Sequence, residues 1–117
     1  MIEKSLWIAT LKPDKVEAYE RLHANQPAEI AAQLADKGFV HLDIYRSGLS
    51  IYMTWEVDAS LAKPNRLVRE EAEREWERLT GECFAEPWRQ MPLIFKQSEH
   101  ADKAQRLIAQ GDEANGN

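Results

Sequence analysis

The stretch FVHLDIYRSGLSIYMTWEVD, residues 39–58, decides the architecture. Val40, Leu42 and Ile44 form one face of its first half, and Leu49, Ile51, Met53, Trp55 and Val57 one face of its second. Such period-two alternation on both sides of Ser47-Gly48 reads as a β-hairpin, with strands over 39–46 and 49–58. Immediately upstream, Gly38 closes a helical pattern in which Val16, Tyr19, His23, Ile30 and Leu34 share one stripe. Pro27 interrupts that stripe, because a proline inside a helix lacks an N–H and clashes with the preceding turn. The pattern therefore divides into segments over about 13–24 and 27–37, with Pro27 in the first turn of the second.

Working outward, Lys4 to Leu11 alternates as a further strand, and Lys12-Pro13-Asp14 starts the first helix. Beyond the hairpin, Asp58-Ala59-Ser60 and Pro64 lead into a helix over roughly 64–84, with Val68, Ala72, Trp76, Leu79 and Cys83 on one face. Met91 to Lys96 reads as the last strand, and Trp88 falls in the loop before it. The order is β-α-β-β-α-β. Right-handed crossovers turn that order into an α+β, ferredoxin-like fold, a four-stranded antiparallel sheet with its helices on one face. The domain is expected over 1–97, and 98–117 as a weakly helical to disordered tail. Trp7, Phe39, Tyr45 and Tyr52 are placed on the uncovered sheet face, among His41, Asp43, Thr54 and Glu56. An aromatic face of that kind calls for a cover, so a homodimer is expected.

Composition narrows the function. The 117 residues are 44% hydrophobic and 30% charged, which suits one soluble globular domain. Neither a membrane-spanning run nor a signal-peptide stretch is apparent. A net charge of −5, from 15 basic and 20 acidic residues, speaks against nucleic acid as a partner. Three histidines and one cysteine without paired-ligand spacing speak against a metal centre. Glycine motifs for nucleotide phosphates are missing too, so no cofactor is expected. The lone Cys83 fits a reducing, cytoplasmic setting. What remains is small-molecule chemistry by ordinary side chains, or binding alone.

The pair Tyr19 and His23, spaced i and i+4 on the inward stripe, is the strongest chemical signal. A histidine can give and take a proton near neutral pH, and a helix carboxyl end favours its charged form. A boundary tyrosine and a hydrogen-bonded core histidine is the plainer reading of the same pair. Trp76 and Trp88 offer flat faces of the kind that stack on sugars, although Trp76 also suits a core, and Trp7 and Trp55 are assigned to packing. Glu73, Glu75 and Glu77 belong with the other glutamates of solvated helix faces. Glu56, in an apolar strand, and Glu29, at a helix start, stand apart as candidate proton partners.

The segment KPDKVEAYERLHANQPAEIAAQLADKGFVHLDIYRSGLSIYMTWEVD, residues 12–58, resembles the L-rhamnose mutarotase family, including its L-fucose mutarotase relatives. The likeness rests on Tyr19-x-x-x-His23, Glu29, Gly38, Ile44-Tyr45, Glu56, Arg74-x-Trp76, and Trp88 with Met91 and Ile94-Phe95. It implies a dimeric α/β barrel that interconverts the α and β anomers of an L-6-deoxyhexose without a cofactor. It further implies His23 as the acid/base group, Tyr19 beside it, and Trp76, Trp88 and Tyr45 as sugar contacts. Pro27-Ala28 stand where the family often has Trp-Pro, and Glu75 where it often has a tryptophan; both changes bear on the preferred sugar. Two rival readings are a non-catalytic ligand-binding barrel and a cofactor-free monooxygenase-type barrel.

Overall fold

The structure, a computed structural model, describes residues 2–63, 70–103 and 105–108. Strand β1 (Ile2–Leu11) is followed by helices α1 (Val16–Ala24) and α2 (Ala28–Asp36). Strands β2 (Phe39–Ser47) and β3 (Ser50–Asp58) form the hairpin, and helix α3 (Glu70–Gly81) and strand β4 (Phe84–Gln90) complete the domain. All strand pairs are antiparallel, in the order β2-β3-β1-β4. This is the ferredoxin-like arrangement expected from the element order.

Local chemistry sets the boundaries. Helix α1 starts at Val16, later than expected, because Lys15 N–H bonds back to the Lys12 carbonyl at 3.0 Å and closes a turn over Pro13-Asp14. Pro27 sits at the N-cap of α2 with φ −60° and ψ 139°, an extended residue whose carbonyl accepts the first helical bond from Ile30 N–H. Gly38 ends that helix with φ +92°, and its carbonyl accepts Asp58 N–H at 2.8 Å, which joins the helix exit to the hairpin. In the hairpin turn Gly48 has φ +60°, while among the described residues no non-glycine residue has positive φ. Glycine at the first central position of a two-residue turn is the type II′ pattern, so the turn residues are Gly48-Leu49 rather than Ser47-Gly48.

Three expectations are corrected. First, a register shift between Phe39 and His41 makes Val40 an extra residue, and Phe39 pairs with Val57. Phe39 therefore turns to the helix-covered face, where its ring meets Trp55 at 5.2 Å, and Val40 is left 38% exposed. Second, Trp7 pairs with Met53 and packs 5.2 Å from Trp55 on that same covered face. Tyr45 and Tyr52 remain on the open face, opposite each other, with Leu6 and Ile8 of β1. Third, the last strand is Phe84–Gln90, not 91–96. Only Glu82 and Cys83 separate it from α3, and Pro87 is tolerated because β4 is an edge strand whose outer N–H groups need no partner. The apolar run Leu93-Ile94-Phe95 is instead 74, 93 and 61% exposed. Pro64 and Val68, expected in the third helix, lie outside the described residues.

Leu11, Ile51, Ala9, Cys83 and Tyr19 form the buried core between sheet and helices. Leu11 and Ile51, essentially without solvent contact, each contribute about 1.5–3 kcal/mol of apolar burial. Among the described residues no helix is long and apolar enough to cross a membrane. A 3₁₀ turn, Gln97–His100, and helical residues 101–103 and 105–108 follow the sheet, all exposed.

Candidate active site

Helices and sheet do not close completely on each other. Between them lies a cavity of about 440 Å³, in the range that holds small ligands. Leu42 and Ile44 of β2 with Met53 and Trp55 of β3 make its apolar floor. Tyr19, His23 and Trp76 border it from the helices, and Phe84 and Trp88 from β4. These side chains arrive there because α1 carries Tyr19 and His23 one turn apart, and because β4 begins directly after α3.

The aromatic rings touch in an unbroken series. Trp76 meets His23 edge-on at 5.0 Å, His23 meets Tyr19 at 4.4 Å, Tyr19 meets Phe84 at 5.7 Å, and Phe84 meets Trp88 at 5.6 Å. Such packing holds each ring in one orientation. His23 is further fixed by a 3.0 Å bond between Nδ1 and the Tyr19 carbonyl oxygen. A carbonyl only accepts, so Nδ1 carries the proton and the neutral ring keeps its lone pair on Nε2. Burial pushes the Tyr19 phenol well above the ordinary tyrosine range, with Cys83 adding to the effect. Tyr19 is thus a neutral hydroxyl, not a phenolate. Cys83 is also held protonated by burial and directs its thiol at the Leu79 carbonyl, 3.6 Å away.

One end of the cavity is polar. Gln33, only 4% exposed, donates from Nε2 to Glu73 Oε2 at 3.1 Å, and Lys37 Nζ reaches Glu73 Oε1 at 2.7 Å. All three border the cavity. Glu73 is therefore not one of the solvated glutamates it was grouped with; its side chain is 32% exposed and tied across from α3 to α2. Sequence reasoning missed Gln33 as well. Its signal was available: a glutamine three residues after Ile30 falls on the apolar stripe, where a polar side chain needs a reason.

Of the expected site residues, His23, Tyr19, Trp76 and Trp88 come together at this cavity, with Trp88 in a strand rather than a loop. Tyr45 does not border it. That residue projects from the open face of edge strand β2 and lines an adjoining cleft of about 490 Å³, which shares Tyr19, His23 and Gln26 with the main cavity. Trp55, assigned to packing, proves to be part of the floor. Glu29 is exposed and borders neither space; Glu56 lies on the open sheet face, 3.4 Å from Lys4. Neither stands beside His23, whereas the polar end of the cavity brings Glu73 to the same space. Among the described residues no group of three His, Cys, Asp or Glu side chains converges as a metal site would.

A sequence profile described as L-rhamnose mutarotase matches residues 4–109. Among solved structures, the chain is similar to an L-rhamnose mutarotase from Formosa agariphila, with 16% identity, a TM-score of 0.64, and coverage of 80% of this chain and 97% of that one. It is also similar to a conserved protein from Methanosarcina mazei, at 19% identity and a TM-score of 0.55 over 81% and 92% of the two chains. A third likeness, at 20% identity and a TM-score of 0.54 over 80% and 98%, is to a putative antibiotic biosynthesis monooxygenase from Bordetella bronchiseptica. At these identities the structural matches establish the fold. No match was found among curated protein sequences.

Proposed function

Because the chain belongs to the L-rhamnose mutarotase family, isomerases acting on carbohydrates, we propose that its cavity opens and recloses the ring of an L-6-deoxyhexose, L-rhamnose before L-fucose. The observation that carries this reading is His23, its Nδ1 tethered to a carbonyl and its ring set between Tyr19 and Trp76 at the cavity wall.

The chemistry asks for little more than two placed protons. His23 Nε2 takes the proton of the anomeric hydroxyl as the C1–O1 bond becomes a carbonyl. The C1–O5 electron pair moves to the ring oxygen, which takes a proton from the Tyr19 hydroxyl. Burial makes Tyr19 a weaker acid than a free phenol, and the positive charge that arises on His23 offsets that cost as the proton leaves. The imidazolium and phenolate so formed are neighbours and attract each other. Rotation about C1–C2 turns the other face of the aldehyde to the C5 hydroxyl, and the protons return by the reverse path. Each such group is worth about 10² to 10⁴ in rate. Trp76 and Trp88 supply flat faces for the pyranose, and the floor of Leu42, Ile44 and Met53 suits the methyl group that replaces a 6-hydroxyl. The reaction moves protons only and calls on no redox partner. The polar wall of Gln33, Glu73 and Lys37 favours a polyol over the aromatic substrates of a monooxygenase-type barrel.

The same reading includes a dimer of the 1–97 domain, the tail lying apart, in a reducing cytoplasm that suits the buried, protonated Cys83. Leu6, Ile8, Tyr45 and Tyr52 on the open sheet face and the exposed Leu93-Ile94-Phe95 segment support the dimer. Saturation-transfer NMR on L-rhamnose and L-fucose tests the function. Faster anomer exchange with protein than without is expected, and an unchanged exchange rate for both sugars would sink the reading.

A further inference from the structure

We propose that Gln33 determines sugar specificity by accepting, at Oε1, a hydrogen bond from one ring hydroxyl at C2, C3 or C4. The inference deepens the mutarotase reading and rests on it. It starts from an amide whose orientation is fixed by chemistry. A carboxylate oxygen cannot donate, so the end of Gln33 that faces Glu73 Oε2 at 3.1 Å must be the NH₂ group. Lys37, 2.7 Å from the other Glu73 oxygen, holds that carboxylate in place. The amide cannot flip without setting its carbonyl against a carboxylate.

The consequence is at Oε1. This oxygen is fully buried, and no group among the described residues donates to it, although the residue borders the cavity. Buried carbonyl oxygens are nearly always paired, and one left without a donor weakens the fold. A ligand hydroxyl in the cavity that Gln33 borders supplies that donor once a small rotation of the side chain brings Oε1, itself without accessible surface, to the cavity wall. The sugar's own chemistry narrows which one. The ring oxygen carries no hydrogen, so an acceptor cannot recognise it. The anomeric hydroxyl is committed to His23. The C6 methyl of a 6-deoxyhexose offers nothing to accept. Hydroxyls at C2, C3 and C4 remain, the positions at which hexose epimers differ. A buried acceptor that loses its donor discriminates more sharply than an apolar contact of the same size, because the wrong substrate leaves it unpaired.

The test compares the unmodified protein with Gln33→Met, similar in length and without the acceptor. Binding and anomer exchange are measured for L-rhamnose and its 2-, 3- and 4-deoxy analogues. One analogue is expected to bind the unmodified protein about ten- to a hundredfold more weakly than L-rhamnose. In Gln33→Met, L-rhamnose itself should weaken by a similar factor, and the penalty on that one analogue should vanish while the other two keep theirs. If the ratios among the four sugars are the same in both proteins, the hydroxyl contact is wrong, as it also is if none of the four binds. Gln33→Leu replaces the methionine variant if thermal melting shows that the latter fails to fold. Exchange with unchanged ratios defeats the contact alone. Binding without any acceleration of exchange defeats the mutarotase reading, and the ratios still decide the contact.

Discussion

In the proposed mechanism, one backbone carbonyl prepares His23 for proton transfer. The bond from Nδ1 to Tyr19 O selects the tautomer, and the rings of Tyr19 and Trp76 fix its plane. His23→Ala should therefore reduce the protein's acceleration of anomer exchange by about 10² to 10⁴. Saturation-transfer NMR reads this directly, and full retention of activity would remove His23 from the mechanism. Tyr19 makes a second, independent prediction. Its folded pKa is raised, so below about pH 10, where the phenol is protonated in both states, its contribution to stability is complete. Above that pH the unfolded chain releases the proton while the folded one keeps it, and stability falls with rising pH by up to about 1.4 kcal/mol per pH unit. Urea denaturation between pH 8 and 11 should show that loss, and Tyr19→Phe should show less of it. The pair was legible in the sequence because i, i+4 spacing on an apolar stripe is a local property. Gln33 and Glu73 were not, because the bond that matters joins residues 40 positions apart.

At the scale of elements, Gly38 is the joint between α2 and the hairpin. Its φ of +92° favours glycine, and a Cβ there would collide with the Asp58 backbone carbonyl. Gly38→Ala should cost about 2–3 kcal/mol, measured as a lower urea midpoint at unchanged slope. A merely flexible position would tolerate the change. Strand β4 teaches the opposite lesson about local signals. Met91 to Lys96 has the stronger strand composition, yet β4 forms over FAEPWRQ. The short link from α3, the burial of Cys83, and the bond from Lys12 N–H to the Cys83 carbonyl at 2.8 Å bring Phe84 to the sheet first. Position outranked propensity. That choice places Trp88 at the cavity rather than in a loop.

For the whole molecule, the open sheet face and the uncovered Leu93-Ile94-Phe95 run lead to the dimer prediction. Sedimentation should give a mass near twice that of one chain. Ile94→Asp, at a position 93% exposed in the single chain, should shift the equilibrium toward monomer without changing the far-ultraviolet circular dichroism. A wild-type protein that sediments as a monomer at all concentrations would remove the dimer from the reading.

By itself the sequence determined the element order, the hairpin, the break at Pro27, and the stripe that carries Tyr19 and His23. Each of these follows from side-chain period or backbone stereochemistry within a few neighbouring residues. Only the tertiary structure decided which stretch became the edge strand, which way Phe39 and Trp7 face, and that Gln33, Glu73 and Lys37 meet at one end of the cavity. Those outcomes depend on pairing register and on contacts between distant segments. A single inserted residue such as Val40 changes which side of the sheet a side chain occupies, and no local pattern reports it.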